Sequence, residues 1–522
     1  MCRDSTTTIL GLPDELLDQI LAEVKWGTPT PTFDALQFYE TLADNTADVQ
    51  RVRLACRRFA SRASSLLLPV ASVSISDPSS VDRLEQIASH PVFAPYVKAV
   101  HVYFGVYEAE LVADIRLLAA HLAANLVHIW PGSSQLAQTL DDLESFCYEE
   151  LEADSEREGM RLLRREHAEY QRRYEAQQHL GLSPAAERIA KAMARMPKAT
   201  RLILDDTPPC SAAAVAPADG GWLLRPTSWA TALKVNRGSP PIDILFALPA
   251  AVHRAGVTLT GLRIHRLRLP NSFPLWTAPQ ADRHSIRDNP PPPEADHLRA
   301  ACRSLRVFEF TPDYEPNSWP TLNPTHLQWP GMAPSYSTPC RRIEDVLGWI
   351  LSASSRLTHV CLDLQIVEAG LPRELAMPGP LPWPCIQGLR LQDGWIDAIT
   401  LTNFLSAATY TLTALDLEGM LLCAHSIGNW RSTTPPYSWA SVLDQLRDHA
   451  RSSVCKFIRI RRPRGAEFHD RSISEADMAH LHSLFEPDDS GLSAVDRFIG
   501  GLTDRNPLVE AGKTPFLYSR AR

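Results

Sequence analysis

Apolar residues recur along this chain in two rhythms. Near the N-terminus, Leu16, Leu17, Ile20, Leu21 and Val24 fall at i, i+1, i+4, i+5 and i+8, one stripe of an amphipathic helix. Leu12-Pro13-Asp14-Glu15 opens it. Proline is tolerated in a first turn, and the two carboxylates oppose the positive end of the helix dipole. Gly27, Pro29 and Pro31 stop the helix, and a loosely patterned stretch follows to about Asp48. A second helix is predicted over Val49–Leu68, ended by Pro69. Val52, Ala55, Cys56, Phe59, Ala63 and Leu66 lie on its apolar side, and Arg51, Arg53, Arg57, Arg58 and Arg62 on the other. Two such helices hold too little apolar surface for a core of their own. Each large side chain left in water forfeits roughly 1.5–3 kcal/mol. The stripe therefore wants a surface to pack on, in a partner or in the rest of this chain.

Beyond residue 70 the rhythm changes to triplets with the spacing L-x-x-L-x-L, an anchor followed by two inward residues of a short strand. They are Val70/Val73/Ile75, Val97/Val100/Val102, Ala199/Leu202/Leu204, Leu259/Leu262/Ile264, Leu305/Phe308/Phe310, Leu357/Val360/Leu362, Ile386/Leu389/Leu391, Leu412/Leu415/Leu417 and Cys455/Ile458/Ile460. Helical patterns at Pro184–Met196, Asp345–Ser354, Leu401–Ala408 and Ser441–Ala450 precede several of them, so the strands are expected to be parallel and to line one face. Leu389 and Leu415 should then be buried on successive strands, with Trp395 and Leu422 just beyond, while Arg390 and Asp416 turn to the opposite side and reach a surface or rim. Leucine makes up 66 of 522 residues, which fits a repeated strand unit.

Three segments interrupt this rhythm. Asp141 to Glu158 holds nine carboxylates and one base, and is followed by Arg161, Arg164, Arg165, Arg172 and Arg173 alternating with Glu166, Glu169 and Glu175. This predicts a charged, solvated helical insertion over 141–182. Pro270–Asp296 and Thr311–Cys340 are proline-rich and read as extended surface insertions over 270–296 and 311–340.

Charge and chemistry narrow the function. Fifty-two Lys and Arg against sixty Asp and Glu leave −8, which argues against nucleic acid or an anionic membrane as the main partner. Nothing approaches the ~18 apolar residues of a membrane span. Ten cysteines without a C-x-x-C pair predict reduced thiols and a cytoplasmic or nuclear location, with no metal centre. No two glycines lie four apart, so no G-x-S-x-G elbow exists, and H-E-x-x-H and G-x-G-x-x-G are also absent. Gly512-Lys513-Thr514 resembles the end of a phosphate loop, but Pro507 stands where its first glycine should be. Pairs such as Asp141/Asp142 and Asp205/Asp206 lack a base, nucleophile or metal partner and read as surface and strand-end carboxylates. Around Arg451–Arg464 the basic residues read as a solvated rim, with an import signal or anion patch as the alternative. No catalytic residue, cofactor or metal ligand is predicted.

Leu-Pro-x-Glu-Leu-Leu-x-x-Ile-Leu, followed by Leu54, Cys56, Arg57 and Phe59 in a Leu-x-Cys-Arg-x-Phe helix, resembles the F-box over residues 9–70. His90-Pro91-Val92-Phe93-Ala94-Pro95-Tyr96-Val97 resembles a segment that follows the box in many fungal F-box proteins. The linker of some twenty residues between the two helices is longer than the family's short turn. Residues 71–505 resemble a degenerate leucine-rich-repeat array, with central spacings of 27, 29 and 26 residues from 73 to 100, 360 to 389 and 389 to 415. The buried Asn or Cys of regular repeats is replaced at every unit, by Gly394, Met420 and Pro463 in the last three. Residues 506–522 read as a tail.

The resemblance implies an α/β chain, a helical F-box followed by an irregular leucine-rich-repeat-like solenoid with parallel strands. Its implied role is a non-catalytic substrate receptor of a Skp–cullin–F-box ubiquitin ligase. Leu12, Pro13, Leu16, Leu17, Ile20, Leu21, Val52, Cys56 and Phe59 would meet the Skp-family adaptor. An unidentified protein substrate would meet aromatic anchors in the connections, among them Trp319, Trp329, Trp383, Trp395 and Trp430, with the acidic 141–158 stretch steering basic partners. A non-proteolytic adaptor-binding scaffold, or an enzyme with an unrecognised pocket in the array, are the alternatives.

Overall fold

Every apolar triplet places its central residue on a strand. In a computed structural model of the chain, the described residues are 12–26, 46–105, 107–129, 134–147, 156–205, 244–268, 293–313, 343–363, 383–423, 438–455, 457–465, 468, 474–488 and 490–511. Twelve strands are described: β1 (Val70–Ser74), β2 (Ala99–Tyr103), β3 (Arg201–Asp205), β4 (Gly261–Arg268), β5 (Val307–Asp313), β6 (His359–Asp363), β7 (Gly388–Gln392), β8 (Trp395–Asp397), β9 (Ala414–Glu418), β10 (Leu421–Cys423), β11 (Phe457–Arg461) and β12 (Arg464–Gly465). Nine of them form one sheet, in the order β1-β2-β3-β4-β5-β6-β7-β9-β11, and every neighbouring pair is parallel. Spatial order is chain order. The fold class is α/β.

Register aligns the central residues in one row, Val100–Leu202–Leu262–Phe308–Val360–Leu389–Leu415–Ile458. β1 departs from the triplet reading. Ala71 faces Val100 and Val73 faces Val102, so the aligned pair lies two residues before the one expected. The row is buried under a layer of helices: α4 (Pro78–Ser89), α9 (Leu182–Ala194), α10 (Ile244–Arg254), α11 (Pro293–Cys302) and α12 (Ile343–Ala353) pack side by side in chain order, and α13 (Ala398–Ala407) packs on α14 (Trp439–Ser452). Asp77 and Ser438 cap α4 and α14 by accepting from the backbone N–H of Ser79 and Ser441.

Three further strands make a second parallel sheet, β12-β10-β8, which the sequence pattern did not announce. Each follows a strand of the large sheet through one residue in the left-handed region: Asp393 (φ 47°), Gly419 (φ 62°) and Arg462 (φ 46°). The next position, Gly394, Met420 and Pro463, is buried at each turn. There the ladder runs through backbone bonds instead of side-chain amides. Leu421 N–H donates to the Gly394 carbonyl and Arg464 N–H to that of Met420, both at 2.8 Å.

The insertion between β2 and β3 is larger than the charged segment predicted over 141–182. It comprises α5 (Ala109–Ala113), α6 (Ile115–Ile129), α7 (Ser134–Cys147) and α8 (Glu158–Leu180) around their own core of Leu111, Leu118, Leu122, Phe146, Leu163 and Tyr170. α8 is amphipathic, with Met160, Leu163, Glu166, Tyr170 and Gln177 buried along one seam. Asp142, expected at the surface, is buried and accepts the Gly159 N–H at 3.1 Å.

Of the insertions expected over 270–296 and 311–340, residues 293–296 belong to α11 and Thr311–Asp313 to β5; residues 269–292 and 314–342 lie outside the described set. Of the tail expected over 506–522, residues 507–510 form a helix, and two more helices precede it within the span expected to be array. α15 (Glu475–Ser483), α16 (Ala494–Ile499) and α17 (Pro507–Glu510) close the end of the sheet, with α16 against β11 and α17 against α14. Asn506 donates to the Ala440 carbonyl (2.8 Å), and Arg447 binds Asp504 (2.8 Å) while stacking on Phe498. Among the described residues no helix is long and apolar enough to cross a membrane.

Candidate functional site

The N-terminal residues fold as three helices rather than the two expected: α1 (Asp14–Trp26), α2 (Thr46–Ala55) and α3 (Arg57–Ala63). The long second helix is broken at Cys56, whose extended backbone (φ −162°, ψ 164°) caps α3 while its Sγ accepts the Phe59 N–H at 3.4 Å. The break redirects the arginine-rich side. Arg58 donates to the Leu12 carbonyl (2.7 Å) and to Asp14 (2.5 Å), and Arg62 pairs with Asp14 and with Asp18 at 3.4 Å. Asp14 thus ties α1 to α3 as well as opposing the helix dipole.

The apolar stripe of α1 splits in two. Leu17 and Leu21 are buried, Leu21 in a small core with Val49 and Ala63, so they hold the helices together and do not face a partner. Leu16 and Ile20, four residues apart on one face, are 45% and 39% exposed. Leu54, absent from the expected contact set, is 87% exposed at the end of α2. Its position off the Val49–Val52 side was the available signal. Leu12, Val52, Cys56 and Phe59 are half-buried and Pro13 is exposed. Asp14, Asp18, Arg58, Ser61, Arg62 and Tyr96 line a polar cleft beside this unit.

The sheet face opposite the helix layer carries a polar row in register: Ser72–His101–Ile203–Arg263–Glu309–Cys361–Arg390–Asp416–Arg459. Charges alternate along it. His101 Nε2 lies 3.0 Å from Asp205, and the Tyr103 hydroxyl 3.2 Å from His101 Nδ1. Arg263 meets Glu309 at 3.2 Å. Asp416 was expected at a rim but is fully buried, held by both donors of Arg459 and by Arg390 at 3.6 Å. Glu418 accepts from Arg462 (2.6 Å), Gln392 (2.9 Å) and Arg390 (3.2 Å). Burial pushes its carboxyl up, but Arg462 and Arg390 outweigh that and hold it below the ordinary range. Arg464 lies 3.4 Å from Asp393. Arg459, Arg462 and Arg464 are therefore answered by carboxylates, which departs from a freely solvated rim. Cys361, in the same row, is buried, and that burial pushes its thiol well above the ordinary range.

Of the expected tryptophan anchors, Trp383 is only 3% exposed and donates its indole N–H to the Leu351 carbonyl at 2.8 Å, which binds it to the helix layer instead of offering it to a partner. Trp439 is likewise buried, bonded to the Arg464 carbonyl at 2.8 Å. Trp395 pairs through its backbone with Leu421. Trp276, Trp319, Trp329 and Trp430 lie outside the described residues, as do residues 148–155 of the acidic 141–158 stretch and Gly512–Thr514. Among the described residues no three His, Cys, Asp or Glu side chains converge as a metal site. Compared with protein-family profiles, curated proteins and solved structures, the chain matched none.

Proposed function

We propose that this chain is the substrate receptor of a Skp–cullin–F-box ubiquitin ligase. In this reading residues 12–70 dock on the Skp-family adaptor, and the parallel sheet is a degenerate leucine-rich-repeat-like solenoid that holds a protein substrate. Transfer chemistry belongs to another subunit, and this chain acts by bringing substrate close. One observation carries the reading: Leu16 and Ile20 form an exposed apolar face on a helical unit whose own small core is closed by Leu21, Val49 and Ala63 without them. Three or more in-register parallel strands with helices packed in chain order support the array.

The test is affinity purification of the full chain beside Leu16→Asp/Ile20→Asp. Two carboxylates in an apolar contact cost several kcal/mol, of the order of a hundredfold or more in affinity. Both positions are exposed in the free chain, so the fold should survive. Adaptor and cullin should be recovered with wild type and lost with the double variant. Recovery of adaptor by the double variant refutes the reading, and adaptor without cullin would favour a scaffold.

A further inference from the structure

The edge of the large sheet at which the strands begin is built unlike the rest of the molecule. Its turns, residues 97–98, 195–200, 256–260, 302–306, 354–358, 384–387, 408–413 and 453–455, contain no Asp or Glu, in a chain whose net charge is −8. Between β2 and β6 the same edge carries Lys98, Lys198, Arg201, Arg303, Arg306 and Arg356. Lys198, Arg303, Arg306 and Arg356 are exposed and have no carboxylate within ion-pair distance among the described residues.

These cations are held in place. Equivalent residues on successive strands are tied by backbone bonds, Thr260 N–H to the Thr200 carbonyl, Arg306 to Thr260 and Thr358 to Arg306, each at 2.8 Å. Threonine side chains fill the gaps between the bases: the Thr200 and Thr260 hydroxyls meet at 2.8 Å, and the Thr358 hydroxyl donates to the Arg306 carbonyl at 3.0 Å. At the β2–β3 end, Lys198 sits 5.1 Å above the ring of Tyr96, itself exposed. Burial, and then repulsion from Arg201 and Lys198, lower the pKa of Lys98, as expected where like charges crowd.

We propose that this strand-starting edge, from β2 to β6, docks an extended acidic segment of a partner protein. Four inter-strand steps of ~4.8 Å make a strip about 19 Å long, which a segment of about six extended residues spans. The strip is one row deep, and the sheet face beside it is occupied by neutralised ion pairs. That suits a single file of carboxylates better than the broad phosphate surface of a nucleic acid. The surface is separate from the Leu16–Ile20 face and does not depend on adaptor docking.

The experiment uses the purified full chain and a labelled Glu-rich peptide of about twelve residues, read by fluorescence anisotropy, with a Gln-for-Glu peptide as control. Binding of the Glu peptide should weaken steeply between about 50 and about 300 mM salt. Lys198→Glu/Arg306→Glu/Arg356→Glu should weaken it by about tenfold or more, whereas Arg83→Glu/Arg161→Glu/Arg172→Glu, with the same charge change elsewhere, should stay within about twofold of wild type. The triple Gln variant at Lys198, Arg306 and Arg356 serves if the reversed one fails to fold. No binding by wild type at low salt, equal binding by the strip variants, or displacement by a single-stranded oligothymidylate at lower concentration than by unlabelled peptide would each overturn the proposal.

Discussion

Asp416 has no access to water and is answered by two arginines, Arg459 from the next strand and Arg390 from the one before. Removing the carboxylate by Asp416→Ala would leave both guanidinium groups facing each other. Because Arg459 and Arg390 keep about a quarter of their surface in water, the loss should fall below the range for fully buried pairs, at about 2–3 kcal/mol. Denaturant unfolding should show it, and a change under about 0.5 kcal/mol would mean the pair is solvated in solution. The sequence foretold the alternation that puts Asp416 opposite Leu415, but not its burial, because two arginines 26 residues before and 43 after it meet it only through register. The same limit explains α1. Period 3.6 identifies the stripe, yet Leu16 and Leu17 both belong to it, and which one faces out depends on where α2 lies.

Helix α8 shows how composition can hide an element's character. Its arginines and glutamates predict a solvated rod, but the seam from Met160 to Gln177 is buried and includes Glu166, one of whose oxygens has no hydrogen-bond partner. Burial raises the Glu166 carboxyl, with Arg165 opposing. For an acid with a raised folded pKa, the unfolded chain releases its proton first. Stability is therefore greatest below the unfolded pKa of about 4.3 and falls as pH rises through the folded value. Glu166→Gln should remove that fall, giving a gain of the order of 1 kcal/mol at neutral pH and none near the acid end. Thermal melts across pH would check it, and an equal gain at all pH values would exclude this cause. Elsewhere the break at Cys56 was invisible, since cysteine fits the apolar side of one long helix as well as a cap between two.

At the scale of the whole molecule, the large sheet was legible because eight triplets share one register and each encodes an anchor and two inward residues. β1 slipped by two because Val70, Val73 and Ile75 offer a second triplet that matches as well as Leu68, Ala71 and Val73. β8, β10 and β12 were not legible. Strands of two or three residues carry no period, and their left-handed turns use Asp, Gly and Arg in turn, so no shared residue marks them.

Strand order that follows chain order also has a mechanical consequence. Each strand of the large sheet grips only the one before and the one after it, so tension applied at the C-terminus meets the bonds in series and not all at once. Pulled from that end, β11 should peel first and β9 next, so the sheet need never break in a single event. Releasing the chain between the aligned residues Leu417 and Ile460 adds 43 residues, roughly 150 Å of contour at full extension. In an optical trap the chain should lengthen in a staircase whose early step has about that size. One abrupt rip across the sheet would show that the helix layer, not the strand ladder, bears the load.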